Sequence, residues 1–182
     1  IESGAAVEWK ASEESYFFRM SKYEDLLLKH LEENPTFIMP KARMNEVSQF
    51  VKLNGLKDLS VSRTNFDWGI PIPKSNDGAD SGKDHVMYVW IDALSNYLSV
   101  LDYAKDDDKP SKLMETFWPP QLQLVGKDII KFHGIYWPTI LLSLGLPLPE
   151  RVFAHGWWTN KGEKISKSLG NVIDPFNLVE EF

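Results

Sequence analysis

The chain has 182 residues, 43% of them hydrophobic, with 20 lysines and arginines against 26 aspartates and glutamates and a net charge of −6. The length suits one domain, or one domain with an attached lobe, and can bury about 70% of the unfolded surface. The acidic balance excludes a broad basic surface, so any nucleic-acid contact must be local. The absence of cysteine excludes disulfides and a thiolate zinc site, and suits a reducing compartment.

No membrane span is expected, because the longest apolar patches, within "IYWPTILLSLGLPLP", are short and interrupted by prolines. No signal peptide is visible. The chain opens at Ile1 without methionine and stops at Phe182 within a predicted helix, so a piece of a longer polypeptide is expected.

Residues 1 to about 20 read as strand and turn. Ser21 and Glu24 have the spacing of a capping box, and Leu26, Leu27, Leu28 and Leu31 support a helix to about Glu33. "NPTF" ends it, and a second helix is predicted from Pro40 or Lys41 to about Leu53. "DLSVSRTNFDWGIPIP" reads as strand with a proline-rich exit. The polar loop "KSNDGADSGKD", residues 74–84, is the expected boundary between a small lobe, 1–76, and a second part, 77–182.

Beyond it, "HVMYVW" (85–90) is a predicted strand and "IDALSNYLSVL" is helical in period. "QLQLVG" (121–126) is a second strand, "KDIIKFHGIYWPTILLSLG" (127–145) a long helix, and "RVFAHGWW" (151–158) a third strand. Asp174 and Pro175 then open a final helix. This alternation implies an α/β fold: a parallel sheet flanked by helices, with ligands at the carboxyl ends of its strands.

Four groups of residues carry possible chemistry. Trp90, Ala93, Leu94 and Tyr97 share one helical face, as core packing or as a ligand wall; pattern alone favours packing. Ile129, His133 and Trp137 share another, either around a satisfied core histidine or as an apolar wall with one imidazole to orient a ligand. No second ligand at metal spacing accompanies His133, which rejects a metal site. Gly126 and Asp128 sit in a strand-to-helix turn, where the carboxylate could accept from sugar hydroxyls or simply cap the helix, the latter being favoured in isolation. Finally, "KISKS" places Lys164, Ser166, Lys167 and Ser168 between Gly162 and Gly170, a solvated turn or a phosphate-holding loop.

"KISKS" resembles the K-M-S-K-S loop of class I aminoacyl-tRNA synthetases. "YVWIDALSNYLS", "GKDIIKFHGIYWPTILLSLGLPLP" and "FAHGWWTNKGEKISKSLGNVIDP" are similar to the methionyl-tRNA synthetase family. "SKYEDLLL", "NEVSQFVK" and "LSVSRTNFDWGIPIP" are similar to its connecting lobe, so the resemblance covers nearly the whole chain. It implies the second half of a Rossmann-like catalytic fold with part of a small α+β connecting lobe.

The resemblance further implies a methionine pocket from Trp90, Ala93, Leu94, Tyr97, Ile129, His133 and Trp137. Gly126 and Asp128 would contact the adenosine ribose, the backbone near Trp158 the adenine, and Lys164 and Lys167, with Ser166 and Ser168, the phosphates. The activity implied is ATP- and magnesium-dependent activation of methionine and its transfer to tRNA(Met), in the cytoplasm or an organellar matrix. Leucine, valine or isoleucine activation, or a non-catalytic methionine- or adenosine-binding fragment, are the alternatives.

Ile165 replaces the methionine of the signature, Leu94 stands where some members have proline, and no cysteines form the family's zinc knuckle, so no zinc is expected in this chain. No H-x-G-H is present: His30, His85, His133 and His155 are isolated in sequence. The remainder of the synthetase, with that motif and an anticodon-binding domain, is the expected partner. Residues 1–182 alone are therefore predicted to give no methionine-dependent ATP–pyrophosphate exchange; turnover by the purified chain would refute this.

Overall fold

The computed structural model describes residues 14–73, 84–104 and 110–181. The elements in chain order are β1 (Phe17–Phe18), α1 (Glu24–Glu33), β2 (Ile38–Met39), α2 (Lys41–Asn54), β3 (Leu59–Ser60), β4 (Ser62–Arg63) and β5 (Val86–Met87). They continue with α3 (Val89–Ser99), α4 (Lys112–Phe117), β6 (Gln123–Gly126), α5 (Trp137–Leu144), β7 (Val152–His155), β8 (Thr159–Asn160), β9 (Glu163–Lys164) and α6 (Pro175–Glu181).

Two compact units result. The first joins 14–22 with 56–73, 84–104 and 110–114; the second joins 23–55 with 115–181. The polar loop expected as the boundary lies, except for Asp84, outside the described residues. The units cross the expected division at 76/77: residues 23–55, expected in the lobe, pack with the parallel sheet, and α3 packs with the lobe strands' unit.

In the first unit β1 pairs antiparallel with β3, and β4 with β5. Ser62 and His85 are buried there and joined, Oγ to Nδ1, at 2.9 Å. The capping box does not form. Ser21 Oγ donates to Asp58 Oδ1 at 2.6 Å, its backbone N–H to the same oxygen at 3.1 Å, and a 3₁₀ turn over Met20–Tyr23 leads into α1. A charged acceptor outcompetes the glutamate loop-back. The strand expected over 85–90 is shorter, because α3 already begins at Val89.

The second unit is the α/β part. β2, β7 and β6 form a three-stranded parallel sheet in that order. β6 and β7 pair from Gln123↔Val152 to Gly126↔His155. The segment β2 is too short to announce itself in sequence; its partner is β7, with Ile38 opposite Val152. α1 packs on α2 and α5, and α2 packs on β2. Leu27, Ile38, Val47, Val51, Ile135, Trp137, Leu141 and Val152 are all buried to within 1% exposure and form its core.

The long helix expected over 127–145 changes type along its length. Lys127–Ile129 is a 3₁₀ turn and Phe132–Tyr136 a π turn, followed by α5. Pro138 has no N–H for the carbonyl of Gly134, and its ring would press on that carbonyl in a regular helix. Widening the turn relieves this: Trp137 N–H donates five residues back, to the Phe132 carbonyl.

Gly134 sits in this turn against β2. A Cβ there would lie 2.9 Å from Ile38 Cδ1 and 3.5 Å from Val47 Cγ2. Gly134→Ala is therefore expected to destabilise the protein by about 1–3 kcal/mol, despite alanine's better helix propensity. Ile38→Val removes the obstructing methyl, so in that background the cost of Gly134→Ala should fall by more than half. Equal costs in both backgrounds, in urea unfolding, would refute the contact.

Candidate functional site

Parallel pairing of β6 and β7 brings Gly126 and His155 side by side at the carboxyl ends of the strands. Past them the chain diverges and leaves a cleft of about 610 Å³. Gly126, Asp128, His155, Trp158, Lys164 and Ile165 are among its lining residues. Four of the predicted nucleotide residues thus meet at one place: Gly126, Asp128, Trp158 and Lys164.

Asp128 is not the cap residue: it lies inside the 3₁₀ turn Lys127–Ile129, whose N-cap position is held by Gly126. Its Oδ2 instead accepts from Trp157 Nε1 at 2.7 Å. Lys164 Nζ stands 3.9 Å from the same oxygen and 4.1 Å above the Trp157 ring centre. Lys127 Nζ lies 3.7 Å above that ring. Trp157 escaped the sequence-based selection, although it is the hub of this cluster. The signal that could have found it is register: it follows β7 as Asp128 follows β6. Gly126 has ordinary extended backbone, φ −70° and ψ 146°, and a Cβ there would meet His155 at 3.9 Å. The protein's own packing does not demand glycine there.

The cationic loop leaves a two-stranded hairpin. β8 and β9 are joined by Lys161 and Gly162, both at positive φ, 53° and 86°. Positive φ at both central residues matches the twist of a tight hairpin, and glycine supplies one of them without strain. Asn171 then fastens the loop. Its Oδ1 accepts from Ser166 N–H at 2.8 Å, and its Nδ2 donates to the Lys164 carbonyl at 3.1 Å. Ser166 and Ser168 hydroxyls are 2.7 Å apart, and Lys167 begins a 3₁₀ turn, Lys167–Leu169.

The residues predicted for the methionine wall do not all fall in one unit. Trp90, Ala93, Leu94 and Tyr97 lie on α3 in the first. Leu94 is buried, Trp90 and Tyr97 are half-buried, and Ala93 is exposed. Burial pushes the Tyr97 phenol up from its ordinary value. Ile129, His133 and Trp137 lie in the second unit, where Trp137 is fully buried and meets Trp118 edge to face at 6.1 Å. His133 Nδ1 donates to the Ile129 carbonyl at 3.1 Å, which leaves Nε2 as the acceptor of the neutral ring.

The site is an α/β cleft at the carboxyl ends of parallel strands, rimmed by a lysine-bearing loop. The chain belongs to the family described as tRNA synthetases class I (M), whose model matches residues 2–182. The methionine–tRNA ligase of Rhizobium meliloti (strain 1021) is 61% identical over 179 residues, 98% of this chain and 32% of that protein. That of Mycobacterium leprae (strain TN) is 50% identical over 182 residues, 100% of this chain and 32% of that protein. A crystal structure of Mycobacterium tuberculosis methionyl-tRNA synthetase bound by methionyl-adenylate aligns at TM-score 0.79 and 49% identity. It covers 99% of this chain and 33% of that one. The chain thus spans about a third of the length of the curated relatives it matches.

Burial holds the His133 imidazole below its ordinary value of 6.5, opposed by its bond to Ile129. The unfolded chain therefore takes up a proton first as pH falls. Stability that is full above pH 6.5 is lost as pH drops through the folded value. His30 is lowered likewise by burial, with Glu33 opposing. His133→Gln should remove part of this acid limb, seen as a smaller drop in urea midpoint between about pH 7 and pH 5. An unchanged limb would assign it wholly to other groups.

Proposed function

We propose that this chain supplies nucleotide contacts and part of the amino-acid wall of a methionine–tRNA ligase. The observation that carries the proposal is the meeting of Gly126, Asp128, Trp158 and Lys164 at one cleft. Relatives of the same family bear the name methionine–tRNA ligase, and one solved neighbour holds methionyl-adenylate.

In this reading Asp128 and the backbone at Gly126 take the ribose hydroxyls, and the backbone near Trp158 lies along the adenine. Lys164 and Lys167 meet the phosphates, with the hydroxyls of Ser166 and Ser168 as further donors. Trp90, Ala93, Leu94, Tyr97, Ile129, His133 and Trp137 surround the methionine side chain. Its thioether gains about 0.3–1.5 kcal/mol against aromatic rings. Neutral His133, already donating through Nδ1, orients a ligand without placing charge beside an apolar chain.

The methionine carboxylate attacks the α-phosphorus of ATP, and the bond to the β-phosphate oxygen breaks. Pyrophosphate leaves with the bonding electrons. The nucleophile is already ionised, so no general base is required. Rate comes from positioning and from stabilising charge on the phosphates. Magnesium arrives with ATP as part of the substrate and shares that charge. A hydroxyl of the terminal tRNA ribose then attacks the methionyl carbonyl and releases AMP. The remaining contacts belong to the rest of the synthetase and to tRNA(Met). The expected setting is the cytoplasm or an organellar matrix. No helix among the described residues is long and apolar enough to cross a membrane.

The test is ATP–pyrophosphate exchange by the full-length parent protein with each apolar amino acid. Exchange should depend on methionine, with kcat/KM at least about tenfold above leucine, valine or isoleucine. A preference for any of those three would overturn the proposed pocket.

A further inference from the structure

We infer that Trp157 is a positioning residue for the nucleotide: its indole N–H orients the Asp128 carboxylate and its ring holds the Lys164 ammonium beside the cleft. The inference rests on the nucleotide reading of the cleft given above.

Three contacts converge on this one side chain. Its Nε1 donates to Asp128 Oδ2 at 2.7 Å. Lys164 Nζ lies 4.1 Å above its ring centre and 3.9 Å from that same carboxylate oxygen. Lys127 Nζ lies 3.7 Å above the ring. Trp157 is 50% exposed, so apolar burial does not account for its place. An indole that orients a carboxylate and gathers two ammonium groups at a cleft is arranged for polar work.

Among the described residues the carboxylate is held by one oxygen only. Among the described residues no hydrogen bond reaches Asp128 Oδ1. A ribose hydroxyl can donate to Oδ1 while the indole keeps Oδ2 fixed, so binding does not require the support to break. Lys164 is held differently. A ring face and one carboxylate oxygen at 3.9 Å are weaker acceptors than a triphosphate. When ATP binds, its phosphates draw the ammonium off the ring, and the lysine moves from a defined place beside the cleft rather than from open solvent. Trp157 thus links the group that reads the ribose to a group that meets the phosphates.

The two functions of the indole separate by substitution in the full-length parent enzyme. Trp157→Phe keeps a ring face and loses the N–H; Trp157→Ala loses both. Exchange is measured with ATP and with 2′-deoxy-ATP, and methionine KM is measured in parallel. Trp157→Phe should raise KM for ATP about fivefold, the cost of ordering an Asp128 side chain that is no longer held before the ribose binds, with kcat near wild type. It should also shrink the preference for ATP over 2′-deoxy-ATP. Trp157→Ala should lower kcat as well, since Lys164 loses its support. Methionine KM should stay at the wild-type value in both.

An unchanged KM for ATP and an unchanged ribose preference in Trp157→Phe would overturn the inference. So would a methionine KM that rises in step with that for ATP, which is the mark of general damage. Wild-type enzyme exchanging with a different amino acid would overturn the methionine assignment alone. The Trp157 comparison would then be run with that amino acid.

Discussion

The parallel pairing of β6 with β7 is the constraint on which the rest depends. Its register is constant, from Gln123↔Val152 to Gly126↔His155. Parallel strands carry equivalent residues in step, so the segments leaving their ends start side by side. The Asp128–Trp157 contact repeats the same separation in sequence, 29 residues, just beyond the sheet. The site is therefore a continuation of the ladder by side chains after the backbone bonds stop. A one-residue slip would turn Val152 and Ala154 outward and separate the aspartate from the indole together.

That ladder is held from beneath by close packing. β2 extends the sheet on the far side of β7, and Phe37 accepts from Val152 N–H at 2.7 Å. The helix carrying His133 then comes down on β2 at Gly134, where a single methyl would collide with Ile38. Close approach there needs glycine, and Pro138 four residues later needs the widened turn. The two irregularities flank Ile135 and Trp137, both fully buried. Irregular backbone in this helix thus fixes the position of His133 and its neighbours. Among the described residues the opposite sheet face is partly exposed, Leu124 to 65% and Phe153 to 38%. Parallel sheets are ordinarily covered on both faces, and this chain spans only a third of its relatives.

What could be read from sequence was local. The helices near 24–33 and 41–54 follow from apolar spacing and from the "NPTF" break. Asp174 accepts from Phe176 N–H at 2.9 Å, as its place before Pro175 foretold. The strands at "QLVG" and "VFAH" carry enough hydrophobic signal to be seen, and with them the α/β class. What could not be read depended on partners far along the chain. Ser21 was drawn to Asp58 rather than to a local cap. The pair Ile38–Met39 is a strand only because β7 lies beside it. Lysine-rich "KISKS" suggested phosphate, but its spacing did not reveal that Lys164 stands beside Asp128, which comes from the end of another strand.

The two halves of this architecture differ in strength for a physical reason. The core beneath the sheet is apolar and packed, and losing one large side chain from it costs about 2–5 kcal/mol. The cleft is held by exposed contacts. The Lys164–Asp128 pair is more than half exposed on both sides, so it contributes at most about 1 kcal/mol. The lysine contacts with Trp157 add about 0.5–1 kcal/mol each. A polyphosphate offers Lys164 several charged oxygens in place of one, so exchange of partners costs little. The backbone that carries the lysine is a different matter, since Asn171 bonds it at two points and β9 pairs it with β8. A fixed backbone with a loosely held ammonium group lets the charge follow the phosphates while its point of attachment stays in register with the sheet.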